Sequence, residues 1–159
     1  MNKRNVSGDN VMKGANNNKV LKVHSVATKP TEYVIDVYKK VFGITHAEAI
    51  PYTYSGTCCL QAGNHDTLMP LKNQLASFGL DAKIYWNHCE LVVYIDYVNG
   101  VDYISDAFEK VLVISPNVAE KYASKVIQSE FCVVKKGSLE GLKPLKDQLN
   151  SLGLCAKIE

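Results

Sequence analysis

The chain has 159 residues, 47% hydrophobic and 21% charged, with a formal net charge of +2, a composition ordinary for a globular protein. No apolar run approaches the ~20 residues needed to span a bilayer, and the opening "MNKRNVSGDN" lacks a signal-peptide core. These features exclude a helical membrane protein and predict one that is cytoplasmic in the producing cell or packaged within a virion. The charge is uneven: residues 1–23 carry Lys3, Arg4, Lys13, Lys19 and Lys22 against Asp9, residues 24–86 balance, and 87–159 sum to −2.

Residues 1–18 are rich in asparagine, glycine and charge and show no periodicity. Such a segment cannot bury enough apolar surface to offset its chain entropy. It is expected to be an extended basic arm, ordered by contact with neighbouring chains. "KVLKVHSVA" (19–27) alternates as a strand does. In "TEYVIDVYKKVFG" the residues Val34, Val37, Tyr38 and Val41 share one helical face, and Gly43 is a natural stop. "THAEAIPYTYSG" (45–56) predicts a short helix broken by Pro51. A strand at 57–63, a helix over 64–79 and a strand in "LDAKIYW" follow.

The same order then recurs. "CELVVYIDYV" (89–98) is apolar on both faces and predicts a central strand. "VDYISDAFEKVLV" places Ile104, Ala107, Phe108 and Val111 on one stripe, and "SPNVAEKYASKVIQS" is a helix with Pro116 at its start. "FCVVKKG" is a strand, and 138–159 closes with a helix and a strand. Aligning 63–84 with 137–158 gives 13 identities in 22 gapless positions. The fold class expected is therefore α+β: two tandem β-α-α-β-α-β units, 19–86 and 87–159, each a three-stranded sheet covered on one face by helices. Leu68, Leu71, Leu75 and Phe78 should enter the first core, and Leu142, Leu145, Leu149 and Leu152 the second. Pro70 and Pro144 lie too deep in helices capped by Asn64 and Ser138, so the regular helices are expected to start near Thr67 and Gly141 instead.

Chemistry-bearing motifs are sparse. Cys58, Cys59, Cys89, Cys132 and Cys155 lack the CxxC spacing of a zinc site and read as buried thiols. His65–Asp66, adjacent at a helix start, read as capping residues. Glu90, Asp96, Asp102 and Asp106 lack the spacing of a calcium loop and read as a solvated face. Lys135, Lys136, Lys143 and Lys146 form a basic patch in a domain that is net acidic. No phosphate loop or nucleophile elbow is present. We therefore expect no enzyme activity, cofactor or metal. Tyr52, Tyr54, Tyr94, Tyr97 and Tyr103 cannot all enter two small cores, and tyrosine is favoured at protein interfaces.

The element order, the period, and the stretches "KPTEYVIDVYKKVFG" and "FCVVKKGSLEGLKPLKDQLNSLGLCAKIE" resemble the superfamily of the ribosomal stalk protein C-terminal domain and the ClpS protease adaptor. The resemblance covers about 19–159, in two copies. It implies a peptide groove beside the first helix of each copy or a factor-recruiting second helix. The residues for those activities do not carry over. Where ClpS has acidic and asparagine side chains for an α-amino group, the first copy has Ser25, Val26 and Ala27, with Thr53 near the histidine position. The second copy keeps only Asp96, followed by Tyr97 and Val98. The stalk domain's basic second helix is echoed by Lys121 and Lys125 alone. The SPOR domain, another strand-helix-strand repeat, is a more distant match.

The function expected is that of a non-catalytic interaction or assembly protein, a structural component of a large particle such as a bacteriophage virion. Its partners would be protein subunits, met through Lys3, Arg4, Lys13, Tyr52, Tyr54 and Tyr97. The alternatives are a ClpS-like peptide-binding adaptor with altered specificity and a nucleic-acid-binding protein acting through its arm.

Overall fold

In the computed structural model, which describes residues 18–24, 29–53 and 57–159, the chain divides into two compact units at the His88/Cys89 boundary. The expected arm falls outside the described residues apart from Asn18. In the first unit β1 (Lys19–His24) is followed by α1 (Thr31–Phe42), α2 (His46–Ala49) and a 3-10 turn, Ile50–Thr53. Then come β2 (Thr57–Gly63), α3 (His65–Ser77) and β3 (Ala82–Trp86). The second unit runs β4 (Cys89–Tyr94), α4 (Val101–Leu112), α5 (Pro116–Ser129), β5 (Phe131–Gly137), α6 (Leu139–Ser151) and β6 (Cys155–Ile158).

Both sheets are antiparallel, with orders β2-β1-β3 and β5-β4-β6, so the first strand of each unit is central. The match extends to a defect. The register slips between Leu21 and Lys22 in one sheet and between Leu91 and Val92 in the other, leaving Leu60 and Val134 as the extra residues of a β-bulge. A bulge at the same place in both halves is what a duplication leaves behind. The units differ chiefly where α2 and its 3-10 turn stand against the 14-residue α5. Both of these segments start from a side-chain cap, Thr45 accepting from Glu48 N–H and Ser115 from Val118 N–H.

Packing follows the apolar stripes. Leu21, Val23, Val34, Ile35, Val37, Tyr38, Ala49, Leu68, Leu75, Leu80 and Ala82 form one buried cluster, with Val41, Leu71 and Phe78 packed half-buried against it. In the second unit Leu91, Val93, Ile104, Ala107, Phe108, Val111, Leu142 and Leu149 are buried, while Leu145 and Leu152 are half-buried. The rings repeat as well: Tyr52 meets Tyr38 edge-on at 6.3 Å, and Tyr122 meets Phe108 the same way at 6.5 Å.

Two expectations need correction. The helices around the prolines begin at His65 and Leu139, with Asn64 and Ser138 as genuine N-caps accepting from Thr67 N–H and Gly141 N–H. Pro70 and Pro144 therefore lie inside regular helix. Each removes a donor to the carbonyl four residues back, at Asp66 and Glu140. Those two residues and both prolines are exposed, so water can reach the carbonyls that lose this donor. The second correction is to β4, which stops at Tyr94 and does not run on to Val98. The Asp96 side chain captures the following backbone N–H groups and turns the chain out of the ladder.

Candidate protein-interaction surfaces

The turn that ends β4 is held from within. Asp96 Oδ1 accepts from Val98 N–H at 2.9 Å and Asn99 N–H at 3.0 Å, and Oδ2 accepts from Asn99 Nδ2 at 2.8 Å. Asn99 Nδ2 also donates to Gly153 O at 3.3 Å, tying the loop to the end of α6. Partial burial pushes the Asp96 carboxyl up, but the Asn99 and Val98 hydrogen bonds outweigh it and hold the group below its ordinary range. This fixed turn places Tyr97 in the left-handed region at φ 61°, a conformation unfavourable for an aromatic residue. Tyr97 is 77% exposed and Val98 85% exposed. An anchored loop thus presents an aromatic and an aliphatic side chain to solvent.

The other described tyrosines are engaged. Tyr33 donates to Phe78 O at 2.9 Å, and Tyr103 to Leu152 O at 2.6 Å, the same staple in both units from the first turn of α1 or α4 to the residue capping α3 or α6. Tyr94 donates to Glu159 and stacks near Phe131, and Tyr85 hydrogen-bonds His24. Tyr38, Tyr52 and Tyr122 take part in the core ring pairs. Tyr97 makes no hydrogen bond or ring contact among the described residues.

Of the residues expected to meet a partner, Tyr97 is thus displayed, whereas half-buried Tyr52 lends its ring to the first core. Lys3, Arg4, Lys13 and Tyr54 lie outside the described residues, as do Ser25, Val26 and Ala27 of the ClpS-type position. In the second copy the Asp96 carboxylate is occupied by its own loop. Lys121 and Lys125 line a shallow polar depression on the exposed face of α5, with Asn117, Glu120, Ser124 and Gln128.

The remaining chemistry is quiet. His65 and Asp66 are exposed, 3.8 Å apart beside the Asn64 cap. Among the described residues no three His, Cys, Asp or Glu side chains come together to hold a metal ion, and no helix is long and apolar enough to cross a membrane. Cys58, Cys59, Cys89 and Cys132 are buried and Cys155 is partly exposed. Burial pushes the Cys132 and Cys155 thiols up, against the opposing pull of Lys125 and Lys157. They stay protonated at neutral pH and are poor nucleophiles. Sequence reasoning missed several exposed apolar side chains: Trp86, Val98, Val113 and Phe131. Trp86 and Phe131 sat inside strand patterns that gave no sign of which residues lay at an edge. No family model matches the chain, and no curated protein matches it significantly.

Proposed function

We propose that this chain is a non-catalytic protein–protein interaction module that works as a component of a larger assembly and docks through the Tyr97–Val98 loop. One observation carries the reading. An aromatic and an aliphatic side chain are displayed together on a loop whose hydrogen bonds fix it in advance. Exposing them to water is unfavourable, and the ordering cost of binding is already met before a partner arrives. Interfaces concentrate their energy in such aromatic anchors, seated in a partner's apolar pocket. The setting proposed is a large particle, such as a virion, in which a small duplicated module bridges subunits.

The test places a photoreactive benzoylphenylalanine at position 97 in the producing cell, with a control at exposed Gln128. The reading expects one discrete adduct from position 97, none from position 128, and loss of the adduct when Val98 is also changed to Asp. Equal labelling from both positions, or none from either, would reject the loop as the docking element.

A further inference from the structure

Asn99 is followed by Gly100, the only Asn-Gly pair in the chain. Such a pair ordinarily marks a tight hairpin turn in which both residues need positive φ. Neither has it here: Gly100 is extended at φ −85°, and Asn99 is not left-handed. Nothing lies within 4 Å of the Cβ position at Gly100, so a side chain would fit. Gly100 is the N-cap of α4 yet gives the helix no side-chain cap, at a place where serine or aspartate would serve better. The first unit puts Pro30 at the equivalent N-cap. The fold therefore does not require glycine after Asn99.

What glycine does provide there is chemical. An asparagine side chain can be attacked by the backbone nitrogen of the next residue, and glycine leaves that nitrogen unshielded. Asn99 is half-buried and Gly100 exposed, so water reaches the pair. Asn99 Nδ2 is tethered at 2.8 Å to Asp96 Oδ2 and at 3.3 Å to Gly153 O. The tether holds the group that must leave, and the Asp96 charge opposes the negative charge that builds on Asn99 Oδ1 during attack. The loop thus restrains this reaction without abolishing it.

We infer that Asn99–Gly100 is a self-modifying latch: Asn99 deamidates spontaneously, and the product unfastens the Tyr97–Val98 loop. Gly100 N bonds to Asn99 Cγ and passes its proton to the amide nitrogen. The Cγ–Nδ2 bond breaks, so ammonia departs and a succinimide ring remains. Water then opens the ring at Cγ, giving aspartate, or at the backbone carbonyl carbon, giving isoaspartate. Either product removes the Nδ2 donor and sets a new carboxylate beside Asp96. Like charges in such contact repel, so the hydrogen bonds that close the loop are lost. Isoaspartate also adds a carbon to the main chain just ahead of α4. The loss of docking rests on the reading of the loop given above; the deamidation and the opening do not.

The purified full chain is held in warm, mildly alkaline buffer beside Asp96→Ala, Gly100→Ser and Asn99→Asp. Peptide mass spectrometry and an isoaspartate methyltransferase follow position 99, and hydrogen exchange follows the Val98 amide. Wild type should convert at Asn99 ahead of Asn64, Asn73, Asn117 and Asn150, giving both aspartate and isoaspartate. Asp96→Ala should convert about tenfold faster, the factor that one hydrogen bond to a charged group is worth. Gly100→Ser should lose the reaction and keep the fold, because serine is a good N-cap. The Val98 amide should exchange about tenfold faster in Asn99→Asp than in fresh wild type. These readouts need no partner, so they stand or fall apart from docking through Tyr97 and Val98. An Asn99 that stays intact, a rate that Asp96→Ala or Gly100→Ser leaves unchanged, or a Val98 amide equally protected in Asn99→Asp would each overturn the inference.

Discussion

Gly43 and Val113 occupy the same place in the two units, each capping the helix that follows the central strand. Both are left-handed, at φ 66° and φ 54°, and both cap N–H groups donate to the carbonyl four residues back, Lys39 O and Glu109 O. Glycine adopts this conformation without penalty, whereas a side-chain-bearing residue pays roughly 1–2 kcal/mol, and a β-branched one sits at the upper end. Val113 is 85% exposed, so replacing it forfeits almost no packing. Val113→Gly should recover that strain, less about 0.5–1 kcal/mol for the extra freedom glycine gives the unfolded chain. The expected net gain is about 1–1.5 kcal/mol. Nothing lies within 4 Å of the Cβ position at Gly43, so Gly43→Val meets no clash and should lose stability through its backbone alone, by a similar amount. Equilibrium urea unfolding of wild type, both single variants and the swapped double variant measures the effect. The swap should fall close to wild type. Destabilisation by Val113→Gly would refute the reasoning.

Three further outcomes are expected. Tyr38 is fully buried with its hydroxyl unpaired among the described residues, at a position where the second unit has Phe108; Tyr38→Phe should therefore stabilise by about 1 kcal/mol in thermal or urea unfolding. Burial, with a smaller contribution from Cys58, pushes this phenol's ionisation up. Its share of stability is thus complete below about pH 10 and lost as pH rises above it, so alkaline unfolding should be shallower in the Phe variant. Leu75→Ala and Leu149→Ala, truncating fully buried side chains, should each cost about 2–5 kcal/mol by the same assay. Asp96→Ala should cost about 1 kcal/mol; because the carboxyl is held below its usual range, this contribution is present above about pH 4 and vanishes as pH falls through the lower native value.

The elements were largely legible because each signal was local and repeated. The Val34/Val37/Tyr38 and Ile104/Ala107/Phe108/Val111 stripes, Pro116 at a helix start and Gly43 at a helix stop each name their own structure. The strand order could not be read from pattern alone, although the double-sided apolarity of "CELVVY" marked the central strand. Sequence reasoning went wrong where a side chain competes with the backbone. Asp96 ends β4 through hydrogen bonds that hydropathy does not register, and Asn64 and Ser138 hold helix starts despite a proline six residues on. The candidate surface was only half visible. Tyrosine was abundant, but which rings staple a helix, as Tyr33 and Tyr103 do, and which stand alone, as Tyr97 does, depends on carbonyls brought close by tertiary folding.

The measurement that bears most directly on the assembly reading is the native mass of the chain in extracts of its producing cell, wild type beside Tyr97→Ser/Val98→Ser. Both changes lie on an exposed loop, so the purified proteins should unfold at the same denaturant midpoint. The account predicts that the wild type runs in a complex far heavier than its own 17.6 kDa and that the variant runs as the lone chain. A wild type recovered entirely at monomer mass, or a variant that stays in the complex, would contradict it.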